Sequence, residues 1–172
     1  MQTAVNSPSR LGEAQPVKEA QSPKILFVTP SSSGQLRIAK YFWELYRPKG
    51  FEAEFGTMEN IPINPWLCKS MAELGFDLER DPIQTIFKIS TISKDFQSII
   101  SLGGLENYCT LSPFVETLDV LFGSKPRKIY WDIPDPEYLS GEKDEMFQGA
   151  IEIRNRIELE IAQFSRSLAK TG

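Results

Sequence analysis

The hydrophobic pattern of this chain alternates between short continuous apolar runs and longer stretches with helical spacing. Short continuous runs are typical of parallel strands that are buried on both faces. Apolar residues at steps of three and four are typical of helices that pack on a sheet. The predicted strands span 24–28, 52–56, 98–102 and 128–131. The predicted helices span 35–46, 64–74, 113–122 and 143–168, and a short helix is one interpretation of 83–92.

Strands separated by helical crossovers predict a parallel α/β sheet with right-handed connections. Asn64, just ahead of Pro65, predicts the start of the second helix, and Gly75 predicts its end. The last helix gives the clearest periodic signal, because its apolar residues form one face that can pack on a sheet. These residues are Phe147, Ala150, Ile153, Ile157, Ile161, Phe164 and Leu168.

Residues 1–22 are rich in Ser, Gln, Pro, Ala and Glu and have almost no bulky apolar side chain. Such a segment cannot bury enough apolar surface to offset the entropy lost on ordering, so we predict a disordered N-terminal tail. Glu13 and Glu19 argue against a transit peptide, because such peptides are poor in acidic residues. The remaining segment, 23–172, is predicted to form one domain.

The composition excludes several classes of function. The formal net charge of −4, without a dominant basic block, argues against a nucleic-acid binder. Cys68 and Cys109 are too few for a disulfide framework and favour a reducing compartment, so we expect a cytoplasmic protein. Because the chain has no His and no paired Cys motif, we expect no metal site and no cofactor. No apolar run approaches the roughly 20 residues of a membrane helix, so direct membrane insertion is not expected.

A polar loop joins the first predicted strand to the first predicted helix. It begins with Thr29 and Pro30 and leads into Gln35. Backbone N–H groups and the helix dipole at such a junction attract phosphate and other small anions. The predicted anion-binding loop consists of Ser31, Ser32, Ser33, Gly34 and Gln35.

This junction resembles the low-molecular-weight protein tyrosine phosphatases and the thioredoxin-coupled arsenate reductases that share their fold. Those families place a nucleophilic Cys directly after the strand and an Arg after five further residues. Here Thr29 stands at the Cys position and Gln35 at the Arg position, while Arg37 is two residues too late to match. Further segments that match the families in order and spacing are 55–57, 63–65, 71–77, 131–136 and 154–164. The resemblance implies a flavodoxin-like, three-layer fold with a four-stranded parallel sheet and helices on both faces.

The two replaced positions remove the chemistry that the resemblance would otherwise imply. Phosphoryl or arsenate chemistry of this type needs a thiolate, and a Thr hydroxyl at position 29 is far harder to ionise. Gln35 cannot supply the charged two-pronged donor that binds an oxyanion. Pro30 also removes one N–H from the loop. We therefore predict no catalytic residues and a loop that has lost its activity.

Two other family positions keep their residue types. Asp135 matches the general acid of the families, and Tyr138 matches an aromatic residue beside their pocket. Alternatively, Asp135 and the proline after it only form the turn that follows the last strand, which is the interpretation we favour. Cys109 matches the last relay thiol of the arsenate reductases, but Gly103 replaces the middle one, so an internal thiol relay cannot be completed. Cys68 is predicted to be a small buried residue of the second helix.

Aromatic residues are more numerous around the first two helices than one sheet-facing stripe requires. Some of them can be core residues, but exposed Tyr and Trp are also typical anchors of protein interfaces. The interface candidates are Tyr41, Trp43, Tyr46, Trp66 and Tyr108.

The sequence leaves three functions open. The leading hypothesis is a non-catalytic phosphatase-fold protein that binds a protein partner, as a subunit or regulator, and retains a vestigial loop that could hold phosphate or another small anion. The alternative is a divergent phosphatase or arsenate reductase that uses Thr29 or Cys109 in a rearranged site. A ligand-binding flavodoxin-like domain is the third, because such folds bind ligands at the carboxyl ends of their strands.

Overall fold

The structure is a computed structural model that describes residues 22–30, 33–103 and 108–171. For Ser33 and for 108–112 the description is limited to the backbone. The predicted N-terminal tail lies outside the described residues except for Ser22.

Strands and helices alternate along the chain as the hydrophobic pattern predicts. The strands are β1 (Lys24–Thr29), β2 (Glu52–Thr57), β3 (Gln84–Thr85), β4 (Ser98–Leu102) and β5 (Arg127–Trp131). The helices are α1 (Ser33–Tyr46), α2 (Pro65–Ala72), α3 (Ile86–Ile92), α4 (Tyr108–Phe122) and α5 (Lys143–Thr171), with a 3-10 turn at Pro136–Tyr138. All strand pairs are parallel, in the order β3-β2-β1-β4-β5.

The sheet has five strands, so the predicted four-stranded sheet is wrong in number. The additional strand, β3, has two residues, which pair with Gly56 and Thr57 of β2. A strand this short has no hydrophobic pattern of its own, and it merges with α3 in the stretch that the sequence left ambiguous. At the other end of the chain, α4 begins at Tyr108 and contains Pro113, although Pro113 was predicted to open the helix.

Helices cover both faces of the sheet, which confirms the predicted three-layer α/β architecture. Alternate residues of each strand point to opposite faces. Ile25 and Phe27 of β1 lie in a buried cluster with residues of α1, α2 and α5. Leu26 and Val28 lie in a second buried cluster with residues of α3 and α4. The central strand β1 is therefore buried on both faces and fixes the position of whatever follows it.

Local signals at the ends of α2 behave as predicted. The Asn64 side chain accepts a hydrogen bond from the Trp66 N–H at 2.9 Å, which caps the helix. Gly75, in the turn after α2, has a φ of 75°, a conformation that favours glycine. Among the helices of the described residues, none combines the length and the apolar character that a membrane span needs.

Candidate functional site

The loop after β1 leaves the sheet at its carboxyl edge, next to the first turn of α1. Thr29 is the last residue of β1, is 1% exposed, and pairs with Thr57 at the end of β2. Its main-chain oxygen accepts a hydrogen bond from the Met58 N–H at 3.1 Å. Thr29 thus lies at the rigid centre of the sheet, in the place where parallel α/β sheets bind ligands.

Gln35, at the predicted anion-binding loop, is engaged by a different part of the chain. It is 2% exposed, and its side-chain Nε2 donates a hydrogen bond of 2.7 Å to the main-chain oxygen of Pro134. Pro134 lies in the segment after β5, directly ahead of Asp135. The side chain at the family's Arg position therefore holds this segment against the start of α1.

A second side-chain amide holds the same segment. Besides capping α2, Asn64 donates from Nδ2 to the main-chain oxygen of Pro136 at 3.1 Å. Between the two held prolines, Asp135 accepts a hydrogen bond from the Glu137 N–H at 2.9 Å and caps the 3-10 turn. The Asp135 carboxylate thus has a local structural role in the turn.

Arg37 does not replace the missing arginine. Its Nη1 donates at 2.8 Å to the main-chain oxygen of Leu78, in the segment after α2. The side chain lines a small cavity of about 170 Å³, together with Lys40, Tyr41 and Phe76 among others. Its guanidinium is therefore bound to the α2–β3 connection.

The connections at the carboxyl edge carry carboxylates and no basic residue. Among the described residues these connections are Pro30, 58–64, Gly103 and 132–142, and none of them contains Lys or Arg. Their acidic residues are Glu59, Asp132, Asp135, Glu137 and Glu142. An oxyanion at this edge would meet the favourable dipole of α1 but also like charges from its neighbours.

Comparisons with known proteins agree on one fold. No family model matches the chain. An arsenate reductase of Shouchella clausii (strain KSM-K16) is 22% identical over 143 residues, which cover 83% of this chain and 95% of that protein. A solved structure of an arsenate reductase in the oxidized state has a TM-score of 0.62 at 17% identity, covering 84% of this chain and 97% of the other. The YwlE arginine phosphatase from Geobacillus stearothermophilus has a TM-score of 0.56 at 16% identity, covering 87% and 94%.

The chain has the fold of the arsenate reductases and low-molecular-weight phosphatases. The resemblance recognised in the sequence is thereby confirmed. On this phosphatase fold, the structure places Thr29 and Gln35 at the β1–α1 junction and Asp135 in the segment after β5. The contact between Gln35 and Pro134 brings these two segments together. Ser31 and Ser32 lie outside the described residues, and of Ser33 only the backbone is described.

The aromatic residues of α1 divide between core and surface. Trp43 is 1% exposed and packs on Phe27, so it is a core residue and not an interface candidate. Tyr41 is half-buried and its ring packs against Phe76, with a centroid distance of 4.7 Å. Tyr46 is 41% exposed and donates a hydrogen bond of 2.7 Å to Glu158 of α5. Of the three α1 candidates, Tyr46 offers the largest free surface.

The two remaining interface candidates, Trp66 and Tyr108, lie in α2 and at the start of α4, and Tyr138 is a further exposed aromatic residue in the segment after β5. Trp66 is half-buried, with its ring centroid 6.4 Å from that of Phe147. The ammonium group of Lys69 lies 4.2 Å from the centroid of Phe147 and 5.4 Å from that of Trp66. Tyr138, in the 3-10 turn, is 63% exposed. Tyr108 begins α4, and its side chain lies outside the described residues.

Of the two cysteines, the structure describes the side chain of Cys68 alone. Cys68 lies on α2 but is half-buried, whereas the sequence predicted a buried residue, and burial raises the pKa of its thiol above the ordinary value. A raised pKa lowers the thiolate fraction and therefore the nucleophilicity at neutral pH. The side chain of Cys109, in α4, lies outside the described residues. In the part of the chain that the structure describes, no group of three or more His, Cys, Asp or Glu side chains could hold a metal ion.

Proposed function

We propose that this chain is a non-catalytic protein with the phosphatase and arsenate reductase fold, and that it acts by binding a protein partner. The observation that carries the proposal is the hydrogen bond from Gln35 to Pro134. In a site for phosphoryl or arsenate chemistry, this position supplies charge to an oxyanion. Here it supplies a neutral amide that is 2% exposed and already hydrogen-bonded.

Two further features support the absence of turnover. A buried Thr29 hydroxyl would need a base to become a nucleophile, and the chain has no His. The acidic connections at the carboxyl edge would also oppose a doubly charged anion. We therefore expect phosphate to bind weakly, through backbone N–H groups alone, if the loop retains its anion-binding geometry.

Exposed aromatic side chains support a partner surface. Tyr46 and Tyr138 are exposed and Trp66 is half-buried, and aromatic residues of this kind often supply most of the binding energy at interfaces. The test is affinity capture of the intact chain under native conditions, followed by a binding titration with the stoichiometric partner. Tyr46→Ala, Trp66→Ala and Tyr138→Ala are compared in that titration. At least one of them should weaken binding by about 2 kcal/mol or more.

Phe87→Ala is the matched control, because Phe87 is 46% exposed on α3, which packs on the opposite face of the sheet. It should leave the affinity within a few tenths of a kcal/mol of the native value. Failure to find any stoichiometric partner, or an affinity lost equally in all four variants, would contradict the proposed surface.

The second candidate function is a divergent phosphatase or arsenate reductase. The comparisons with known proteins support it better than they support a non-catalytic role. The relatives that match almost over their full length are described as arsenate reductases and phosphatases. Asp135, half-buried in the segment held by Gln35, remains at the general-acid position. If this candidate is correct, Asp135→Asn should abolish turnover of an aryl phosphate or of arsenate with a thiol. Asp77→Asn, in the segment after α2, is the control that should leave that turnover unchanged.

A further inference from the structure

We propose that the side-chain amides of Gln35 and Asn64 form a clamp that holds the Pro134–Pro136 segment closed against the amino ends of α1 and α2. Gln35, at the family's Arg position, then holds this segment through its hydrogen bond to Pro134. The biological meaning of the clamp, a Pro134–Pro136 segment held beside the residue at the family's Arg position, rests on the proposed non-catalytic function. The clamp itself can be tested independently of it.

The two amides contact the segment at both ends. Gln35 reaches the carbonyl of Pro134 from α1, at 2.7 Å, and Asn64 reaches the carbonyl of Pro136 from the start of α2, at 3.1 Å. The residues that they hold enclose Asp135 on both sides. A segment fixed at two carbonyls cannot swing away from the amino ends of α1 and α2 unless both bonds break.

Burial orients one amide group and a second hydrogen bond orients the other, which makes the clamp rigid. Gln35 is 2% exposed, so its side chain has little freedom to turn toward another partner. Asn64 is oriented by its second contact, since its Oδ1 accepts the Trp66 N–H at 2.9 Å while its Nδ2 faces Pro136. Core packing also anchors the flanks of the held segment, since Ile133 is 0% exposed and Leu139 packs against the same buried cluster. The Tyr138 N–H donates to the Asp135 main-chain oxygen at 3.1 Å within the turn.

The chain offers two substitutions that each remove one half of the clamp. Gln35→Met keeps the length of the side chain but removes the donor to Pro134. Asn64→Asp keeps the oxygen that caps α2 but removes the donor to Pro136. Gln148→Met is the matched control, because Gln148 is exposed on α5.

Amide hydrogen exchange across 132–140 is the measurement, with the strands as internal reference. Since one hydrogen bond contributes modestly to closing, each single variant should raise exchange in this segment about three- to tenfold. The double variant should raise it by about the product of the two single effects, because one opening motion breaks both bonds. Exchange in β1 and β4 should not change.

The clamp is refuted if exchange across 132–140 in Gln35→Met and Asn64→Asp stays within about twofold of the Gln148→Met control. If Gln35→Met does not fold, Asn64→Asp alone decides the outcome. Turnover by the native chain would contradict the proposed function but would leave this exchange result intact. The two proposals therefore fail separately.

Discussion

Restoring the missing side chains at the β1–α1 junction should recover activity in a defined order. Thr29→Cys supplies a thiol at the end of β1, and the dipole at the amino end of α1 should lower the pKa of that thiol. Gln35→Arg supplies the missing charged donor, and one such donor typically changes the rate by about 10²–10³. It also removes the hydrogen bond to Pro134, worth about 1 kcal/mol, which lowers the equilibrium constant for closing of the 134–136 segment about fivefold.

The double variant should therefore hydrolyse an aryl phosphate about 10²- to 10³-fold faster than Thr29→Cys alone. Initial rates of purified proteins at equal concentration measure this ratio. Thr29→Cys combined with Gln148→Arg is the control, because it adds the same charge at an exposed position of α5. A Thr29→Cys variant that matches the double variant would refute the reasoning, since Gln35 would then not limit the chemistry.

Three other predictions concern the core, the surface and the thiol. Trp43→Ala should lower the free energy of unfolding, measured in urea, by about 3–5 kcal/mol, because the Trp43 ring is 1% exposed. Tyr46→Ala should lower it by less than about 1 kcal/mol. The hydrogen bond to Glu158 raises the pKa of Tyr46, so its contribution to stability is complete below the unfolded pKa near 10 and is lost as the pH rises through the folded value. Tyr46→Phe should accordingly reduce the loss of thermal stability above pH 10, and an unchanged alkaline profile would contradict this. In a Cys109→Ser background, Cys68 should react with a maleimide several-fold more slowly than free cysteine at pH 8, and an equal or faster rate would contradict its raised pKa.

Elements with a strong local pattern could be predicted from the sequence. The apolar face of α5 places the helix at 143–168, and the structure has it at Lys143–Thr171. Asn64 and Pro65 mark the start of α2 because capping depends on adjacent residues. In contrast, β3 depends on pairing with Gly56 and Thr57, and a two-residue strand leaves no period to detect.

The site could be predicted only in part, because contacts between residues far apart in the sequence leave no local pattern. The absence of Cys and Arg at the family positions is visible in the sequence, but the partner of Gln35 is 99 residues away and only the folded chain reveals it. The burial of Trp43 did have a signal, since it continues a helical stripe with Leu36 and Ala39, and all three are buried. Tyr46, three residues further, stays exposed at the end of α1.

The most direct test of the account is the turnover of the purified native chain, with an aryl phosphate and with arsenate plus a thiol reductant. Thr29→Val is the comparison, because it replaces the hydroxyl at the nucleophile position with a methyl group of similar size. The account predicts that the native chain and Thr29→Val both remain at the background rate. Turnover by the native chain that Thr29→Val abolishes would contradict it and establish the divergent enzyme instead.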